Sequence, residues 1–143
     1  MTDLNSEQAS SKVSDAAREA RAREFAIEVA QLLGDDKCEH IVVLDVRNLS
    51  QVTDFVVVGS GTSDRQMDAA LTHAKELGEE QDYPCVRDSG DERSTWLLAD
   101  FVDVVVHLFE PNTRAHYDIE MLWGDAERVT WRRSGISVES DEG

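Results

Sequence analysis

The segment VDVVVHL, residues 102–108, carries the acid whose chemistry would matter most if this protein were an enzyme. A metal-dependent nucleotidyltransferase holds Mg²⁺ with two or three carboxylates, often as Asp-x-Asp or Asp-x-Glu on one strand face. Here three valines follow Asp103 and the second acid is absent. Asp64 and Asp68 fall on a predicted helix, where solvation or capping is their ordinary role. The pattern argues against metal-dependent transfer, and an enzyme that uses Asp103 with unrecognised acids is the alternative hypothesis.

Two further features could also carry chemistry. The segment VVVGSGTSDRQ, residues 56–66, could aim backbone N–H groups at a phosphate, but it matches neither GxGxxG nor GxxxxGK[ST]. Structural turn glycines are the favoured interpretation. The four histidines lack ligand spacing such as HExxH, and His107 is expected to be a hydrogen-bonded, half-buried strand residue. We therefore expect no catalytic residue, no metal and no cofactor.

The charge favours a partner with a basic surface. The chain has 143 residues, the length of a single domain, and a net charge of −16 with a pI near 4.4. This charge works against binding to nucleic acid or anionic lipid by the protein as a whole. Residues 76–110 hold ten acids and two arginines, so they carry half of the net charge. A solvated acidic surface and a dedicated acidic docking face both explain this concentration.

The remaining composition points to a cytoplasmic protein. Cys38 and Cys85 stand far apart and form neither a CxxC site nor a disulfide framework. No apolar stretch approaches the roughly 20 residues that cross a bilayer. The N-terminus lacks the basic start and apolar middle of a signal peptide.

The first half of the chain predicts two helices around two strands. Residues 1–14 are polar and aperiodic, which predicts a disordered lead-in. An apolar stripe at spacings of three and four then indicates a helix from about Ser14 to Gly34. HIVVLDV and DFVVVGS are predicted strands, and the next helix is predicted to open with Ser63 and Gln66 as a capping box and to end near Gly78.

The second half predicts two or three strands and one helix. Strands are expected around Thr95 to Ala99 and from Asp103 to Phe109, with a third helix from Pro111 to Trp123. Residues 127–143 are predicted to be a polar tail. The order of elements predicts an α/β (mixed α+β) domain, in which helices flank a single mixed β-sheet.

Two long segments carry a resemblance to a known family. TDFVVVGSGTSDRQ and STWLLADFVDVVVHLFEPNTRAHYDIEMLWGDA resemble, in order and separation, the Iojap family, the bacterial ribosomal silencing factors. The likeness runs from about residue 18 to residue 126, so residues 15–126 would form the ribosome-binding domain. It implies a nucleotidyltransferase-like fold without the catalytic acids and without enzymatic activity, in agreement with the missing second acid.

The resemblance also implies a partner and a mechanism. Such factors bind the large ribosomal subunit through its fourteenth protein, sterically block joining of the small subunit and so repress translation, while organellar relatives are linked to large-subunit assembly. Carried onto this chain, the implied binding residues are Trp96, Leu98, Asp100, Asp103, Arg114, Tyr117, Glu120 and Trp123. Where the family commonly has Gly, as in DYGDVVVH, this chain has Val102.

Several points stay open at this level. Strand alternation puts Trp96 and Leu98 on one face and Leu97 and Ala99 on the other, and either pair could be buried. Trp123 could be exposed or part of the core. A cluster in the tail, Arg128, Trp131, Arg132 and Arg133, could touch ribosomal RNA or could belong to a disordered, charge-balancing tail. The sequence also leaves open whether the free protein dimerises.

Overall fold

In the part of the chain that the structure describes, six strands form one sheet and two long helices pack on it. The computed structural model describes the backbone of residues 3–90, 95–112 and 123–133, with side chains from residue 15 onward. The elements are α1 (Asp3–Asp35), β1 (Glu39–Asp45), β2 (Phe55–Ser60), α2 (Asp64–Glu80), β3 (Arg87–Gly90), β4 (Trp96–Asp100), β5 (Val104–Phe109) and β6 (Glu127–Val129). No helix in the described ranges has the length and apolar character needed to cross a membrane.

The sheet is mixed, as predicted. Its strand order is β3-β4-β5-β2-β1-β6, with β2 and β5 parallel and every other neighbouring pair antiparallel. β2 lies near the centre and is buried along its whole length, which explains its unbroken run of apolar and small residues. The prediction of a mixed α+β domain with a single sheet is confirmed.

One face of the sheet packs against α1 and α2, and we call it the inner face. The apolar stripe of α1 is fully buried there through Ala22, Phe25, Ala26, Val29 and Leu33. The Phe25 ring stacks on Tyr83, with centroids 4.7 Å apart, and meets Phe101 edge-on at 5.2 Å. Helical periodicity thus identified the core residues of α1 correctly.

The opening of α2 also follows the sequence. The Ser63 Oγ accepts a hydrogen bond from the Gln66 backbone N–H at 3.1 Å, and the Gln66 side chain accepts one from the Thr62 N–H at 2.6 Å. These bonds satisfy donors that a helix N-terminus leaves without intrahelical partners. Gly61 is needed for close packing, because a Cβ there would overlap the Met67 side chain.

Two predicted segment boundaries need correction. α1 begins at Asp3, so residues 3–14 are helical rather than a disordered lead-in. Residues 127–133 are not a polar tail, because Glu127–Val129 form β6 and pair antiparallel with β1. The side chain of Val129 is buried. A three-residue edge strand is too short to show periodicity, so β6 could not be predicted from the sequence.

The connection between β4 and β5 is strained. Val102 has φ of 76°, and the Asp103 N–H donates to the Phe101 carbonyl oxygen at 3.0 Å across it, which closes a γ-turn. A γ-turn with positive φ is rare, and a β-branched residue is poorly suited to it. A valine at this position therefore costs folding free energy.

Replacing Val102 with glycine should raise stability. Relief of the left-handed strain outweighs the greater flexibility of glycine in the unfolded chain, so we expect a gain of roughly 1 kcal/mol. Urea unfolding at neutral pH measures it. The matched control is Val86→Gly, another exposed valine whose φ is not positive, and it should lose stability. A loss in both variants would show that the turn is unstrained.

Candidate partner-binding surface

The alternation of β4 decides which side chains face outward. Leu97 and Ala99 are buried on the inner face, whereas Trp96, Leu98 and Asp100 lie on the opposite, outer face and are partly exposed. The register continues this pattern across β5, because Trp96 pairs with Phe109 and Leu98 pairs with His107. The residues that the resemblance assigned to β4 therefore share one surface.

A second apolar cluster covers the middle of the outer face. Its buried members are Val42, Leu44, Val46, Val56, Val58 and Phe109, and Trp96, Trp123 and Ala126 pack against them. Trp123 is partly buried, so its side chain contributes to this cluster. The structure brings Trp96 and Trp123 to the same face, although they are far apart in sequence.

Trp96 is held in place by its neighbours on β5. Its ring stacks on Phe109, with centroids 5.4 Å apart, and its Nε1–H donates to His107 Nδ1 at 3.1 Å. The indole is thus oriented before any partner arrives, while part of its surface stays exposed. Preorganised aromatic side chains of this kind lower the entropic cost of binding.

His107 plays a structural role in this arrangement. Because its Nδ1 accepts the bond from Trp96, the neutral ring carries its proton on Nε2. Burial lowers the pKa of His107 to about 4, so the ring is neutral at physiological pH. The expectation of a hydrogen-bonded, half-buried side chain is confirmed.

The state of His107 should make stability depend on pH. The unfolded histidine binds a proton below about 6.5, whereas the folded one resists protonation until about 4, so stability falls as pH drops through that window. The loss due to this group is at most about 3 kcal/mol. Comparing wild type with His107→Phe by urea unfolding at several pH values isolates it. Asp36 raises the pKa of His73, so protonation of His73 favours the folded state. Both proteins contain His73, so its contribution cancels in the comparison.

The two acids next to the β4–β5 turn are engaged differently. Asp100 accepts hydrogen bonds from Arg87 at 3.0 Å and from the Val102 N–H at 2.8 Å. Asp103 makes a long ion pair of 3.4 Å with Arg18, whose side chain is 61% exposed. A basic side chain of a partner could replace Arg18 beside Asp103 with little loss of folding stability, because such surface ion pairs contribute weakly to it.

The geometry does not assemble a metal site around Asp103 in the described ranges. Asp54 lies close enough for the two carboxylates to influence one another, but no group of three or more His, Cys, Asp or Glu in those ranges could hold a metal ion. Burial raises the pKa of Asp54, and Asp103 raises it further. The alternative hypothesis of a metal-dependent transferase thus receives no support from these residues.

The segment after β6 is attached to the body of the protein. Trp131 donates from Nε1 to the Ile41 carbonyl oxygen at 3.1 Å and packs against the inner core. Arg133 pairs with Asp35 through two bonds of 3.1 Å, and Arg132 lies over the Trp131 ring at 5.0 Å. Trp131 and Arg133, two of the four residues for which an RNA contact was one alternative, thus make internal contacts, while Arg128 is exposed on β6.

Part of the predicted site falls outside what the structure describes. Pro111 and Asn112 are helical. The rest of the predicted third helix, with Arg114, Tyr117 and Glu120, lies outside the described residues. Of the predicted residues that the structure describes, Trp96, Leu98, Asp100 and Trp123 lie on the outer face, whereas Asp103 lies in the β4–β5 connection and pairs with Arg18 of α1. His107, which sequence reasoning set aside as ordinary, joins the outer-face residues through its bond to Trp96.

Comparisons with known proteins agree on one family. The sequence profile of the family described as "Ribosomal silencing factor during starvation" matches residues 19–142. The ribosomal silencing factor of Halalkalibacterium halodurans is 39% identical over 95 residues, which cover 66% of this chain and 81% of the relative. The chloroplastic Iojap protein of Zea mays is 35% identical over 111 residues, 78% of this chain and 48% of the maize protein.

A solved structure supports the same assignment. The crystal structure of a Chromobacterium violaceum protein superposes with a TM-score of 0.65 at 32% identity, covering 83% of this chain and 96% of that one. The profile match continues through β6 to residue 142, beyond the predicted domain end at residue 126. With its fold and these matches in agreement, the chain belongs to the ribosomal silencing factor family, which includes the Iojap proteins.

Proposed function

We propose that this protein binds the large ribosomal subunit through the subunit's fourteenth protein and sterically prevents the small subunit from joining. One observation supports the proposal: a preorganised, partly exposed Trp96 lies beside Leu98 on the outer face, which also carries Asp100 at the far end of β4. Aromatic anchors surrounded by polar groups are typical of binding hot spots. A ribosomal protein is basic because it holds RNA, so it suits a chain of charge −16.

The proposed role is noncatalytic. Asp103 pairs with Arg18, and the Nδ1 of His107 accepts a hydrogen bond from the Trp96 indole N–H, so this nitrogen is engaged within the protein. The family name describes regulation of ribosomes, which supports a binding role. Action on ribosomes would also place the protein in the cytoplasm.

Contact with ribosomal RNA would be secondary. Trp131 and Arg133 are occupied by the protein's own backbone and by Asp35, which leaves Arg128 and Arg132 as the candidates. Phosphate contacts from two arginines could orient the protein beside its protein partner.

Adding the protein to separated ribosomal subunits should reduce the fraction that associates. A bound domain on the joining surface occupies the space of the small subunit, so the inhibition should be competitive and should weaken as small subunits are added in excess. Sucrose-gradient sedimentation measures both the associated fraction and the protein bound to large subunits. Equal binding to preformed whole ribosomes and to free large subunits would contradict the steric mechanism.

A further inference from the structure

The large apolar side chains that are exposed in the described residues all lie at one end of the sheet. Leu49 and Val52 are 46% and 83% exposed in the β1–β2 loop, Val86 is 59% exposed before β3, and Val102 is 51% exposed in the β4–β5 turn. Singly scattered exposed apolar residues need no explanation, but a shared location does. We call these four residues the sheet-end patch.

Backbone hydrogen bonds join the three parts of the patch. The N–H groups of Asp54 and Phe55, which follow the Leu49 and Val52 loop, both donate to the Asp103 carbonyl oxygen at 3.0 and 3.1 Å. The Val86 N–H donates to the Asp100 carbonyl oxygen at 2.9 Å. The patch therefore follows the sheet from β3 to β1, about 20 Å at the usual strand spacing.

Negative charge lies beside the apolar side chains. Asp103 follows Val102 directly and makes a long pair with the exposed Arg18, and Asp54 is close enough to interact with it electrostatically, although Arg18 and Arg47 partly offset that repulsion. Burial and the neighbouring Asp103 make the charged form of Asp54 costly, which raises its pKa. A further cation at this position would relieve both carboxylates.

The charge decides between occupants. A second copy of this chain would bring another molecule of charge −16 against these acids, and nucleic acid would bring phosphates. A basic protein segment has the complementary charge. We propose that the sheet-end patch is a second docking surface, which takes a basic protein segment with an apolar side chain on Val52 and Val102 and a lysine or arginine beside Asp54 and Asp103.

This inference rests on the proposed function in one respect, since it takes the segment to belong to the large subunit. The strained turn at Val102 gives it independent support. Strain that persists in a folded protein is often retained at functional positions, and here it holds an apolar side chain outward between Asp100 and Asp103.

Affinity for purified large subunits tests the proposal. The pair of substitutions Val52→Ser and Val102→Gly should weaken binding roughly tenfold or more, because two apolar contacts are lost. Val102→Gly relieves strain, so weaker binding would not come from unfolding, and urea unfolding of each variant verifies this. Asp54→Asn should weaken binding and reduce its salt dependence, whereas Glu79→Gln removes the same charge from exposed α2 and should change neither.

Trp96→Ala, measured in the same series, separates the two proposals. Weaker binding in Trp96→Ala with wild-type binding in the sheet-end variants would overturn the second docking surface and leave the proposed function intact. A photo-crosslinking residue at position 52 should capture a ribosomal protein from purified large subunits; capture of RNA or of a second copy would overturn the assignment of the occupant. Failure of the wild-type protein to bind large subunits would overturn both proposals.

Discussion

Trp96→Ala is expected to lose at least about 2 kcal/mol of binding free energy toward large subunits, which is roughly thirtyfold in affinity. The indole is partly exposed on the outer face and fixed by Phe109 and His107, so its orientation requires no adjustment on binding. Truncation removes the anchor and also leaves His107 Nδ1 without its donor. Binding isotherms from sedimentation with purified large subunits measure the effect.

The neighbouring residue provides the matched control. Leu97→Ala changes the same strand on its inner face, where the side chain is 7% exposed, and should lose about 2 to 4 kcal/mol of folding stability. Its folded fraction should bind large subunits as the wild type does. If Trp96→Ala instead loses as much stability as Leu97→Ala while retaining affinity, Trp96 belongs to the core and not to the interface.

The sequence predicted the centre of the fold because the signals there are local and strong. Runs of β-branched residues identified β1, β2 and β5, and the stripe from Ala22 to Leu33 identified the buried face of α1. Each of these segments is long enough for its periodicity to show. The capping pair Ser63 and Gln66 correctly predicted the start of α2, because that signal is also local in sequence.

The features that could not be predicted from the sequence depend on contacts between residues that are far apart along the chain. Strand alternation separated Trp96 from Leu97 but could not say which side packs on α1 and α2, because that depends on tertiary packing. The role of His107 as acceptor for Trp96 follows from the β4–β5 register, which spacing alone does not give. Val102 was noticed as a departure from glycine, and only the backbone shows that it is strained.

The position of the segment after β6 also depends on contacts between residues that are distant in sequence. From the sequence, the tryptophan among arginines near the end of this acidic chain could be either an RNA contact or part of a disordered, charge-balancing tail. In the structure the Trp131 ring lies over Gly34, with its Cζ3 atom 3.5 Å from where a glycine Cβ would stand, and its backbone carbonyl accepts from Gln31 Nε2 at 2.9 Å. The indole therefore packs directly against α1 at ordinary van der Waals distance.

Trp131→Ala should accordingly lose about 3 kcal/mol of folding stability, because it opens a cavity beside α1 and leaves the Ile41 carbonyl oxygen without the indole N–H. Trp131→Phe keeps most of the packing and should lose about 1 kcal/mol, the contribution of one hydrogen bond. Arg133→Ala removes a pair with Asp35 in which both side chains are at least half exposed, so it should change stability little. Urea unfolding of the three variants distinguishes a docked segment from a tail, since a tail would leave all three at wild-type stability. If Trp131→Ala kept its stability and bound large subunits more weakly, the indole would be an RNA contact after all.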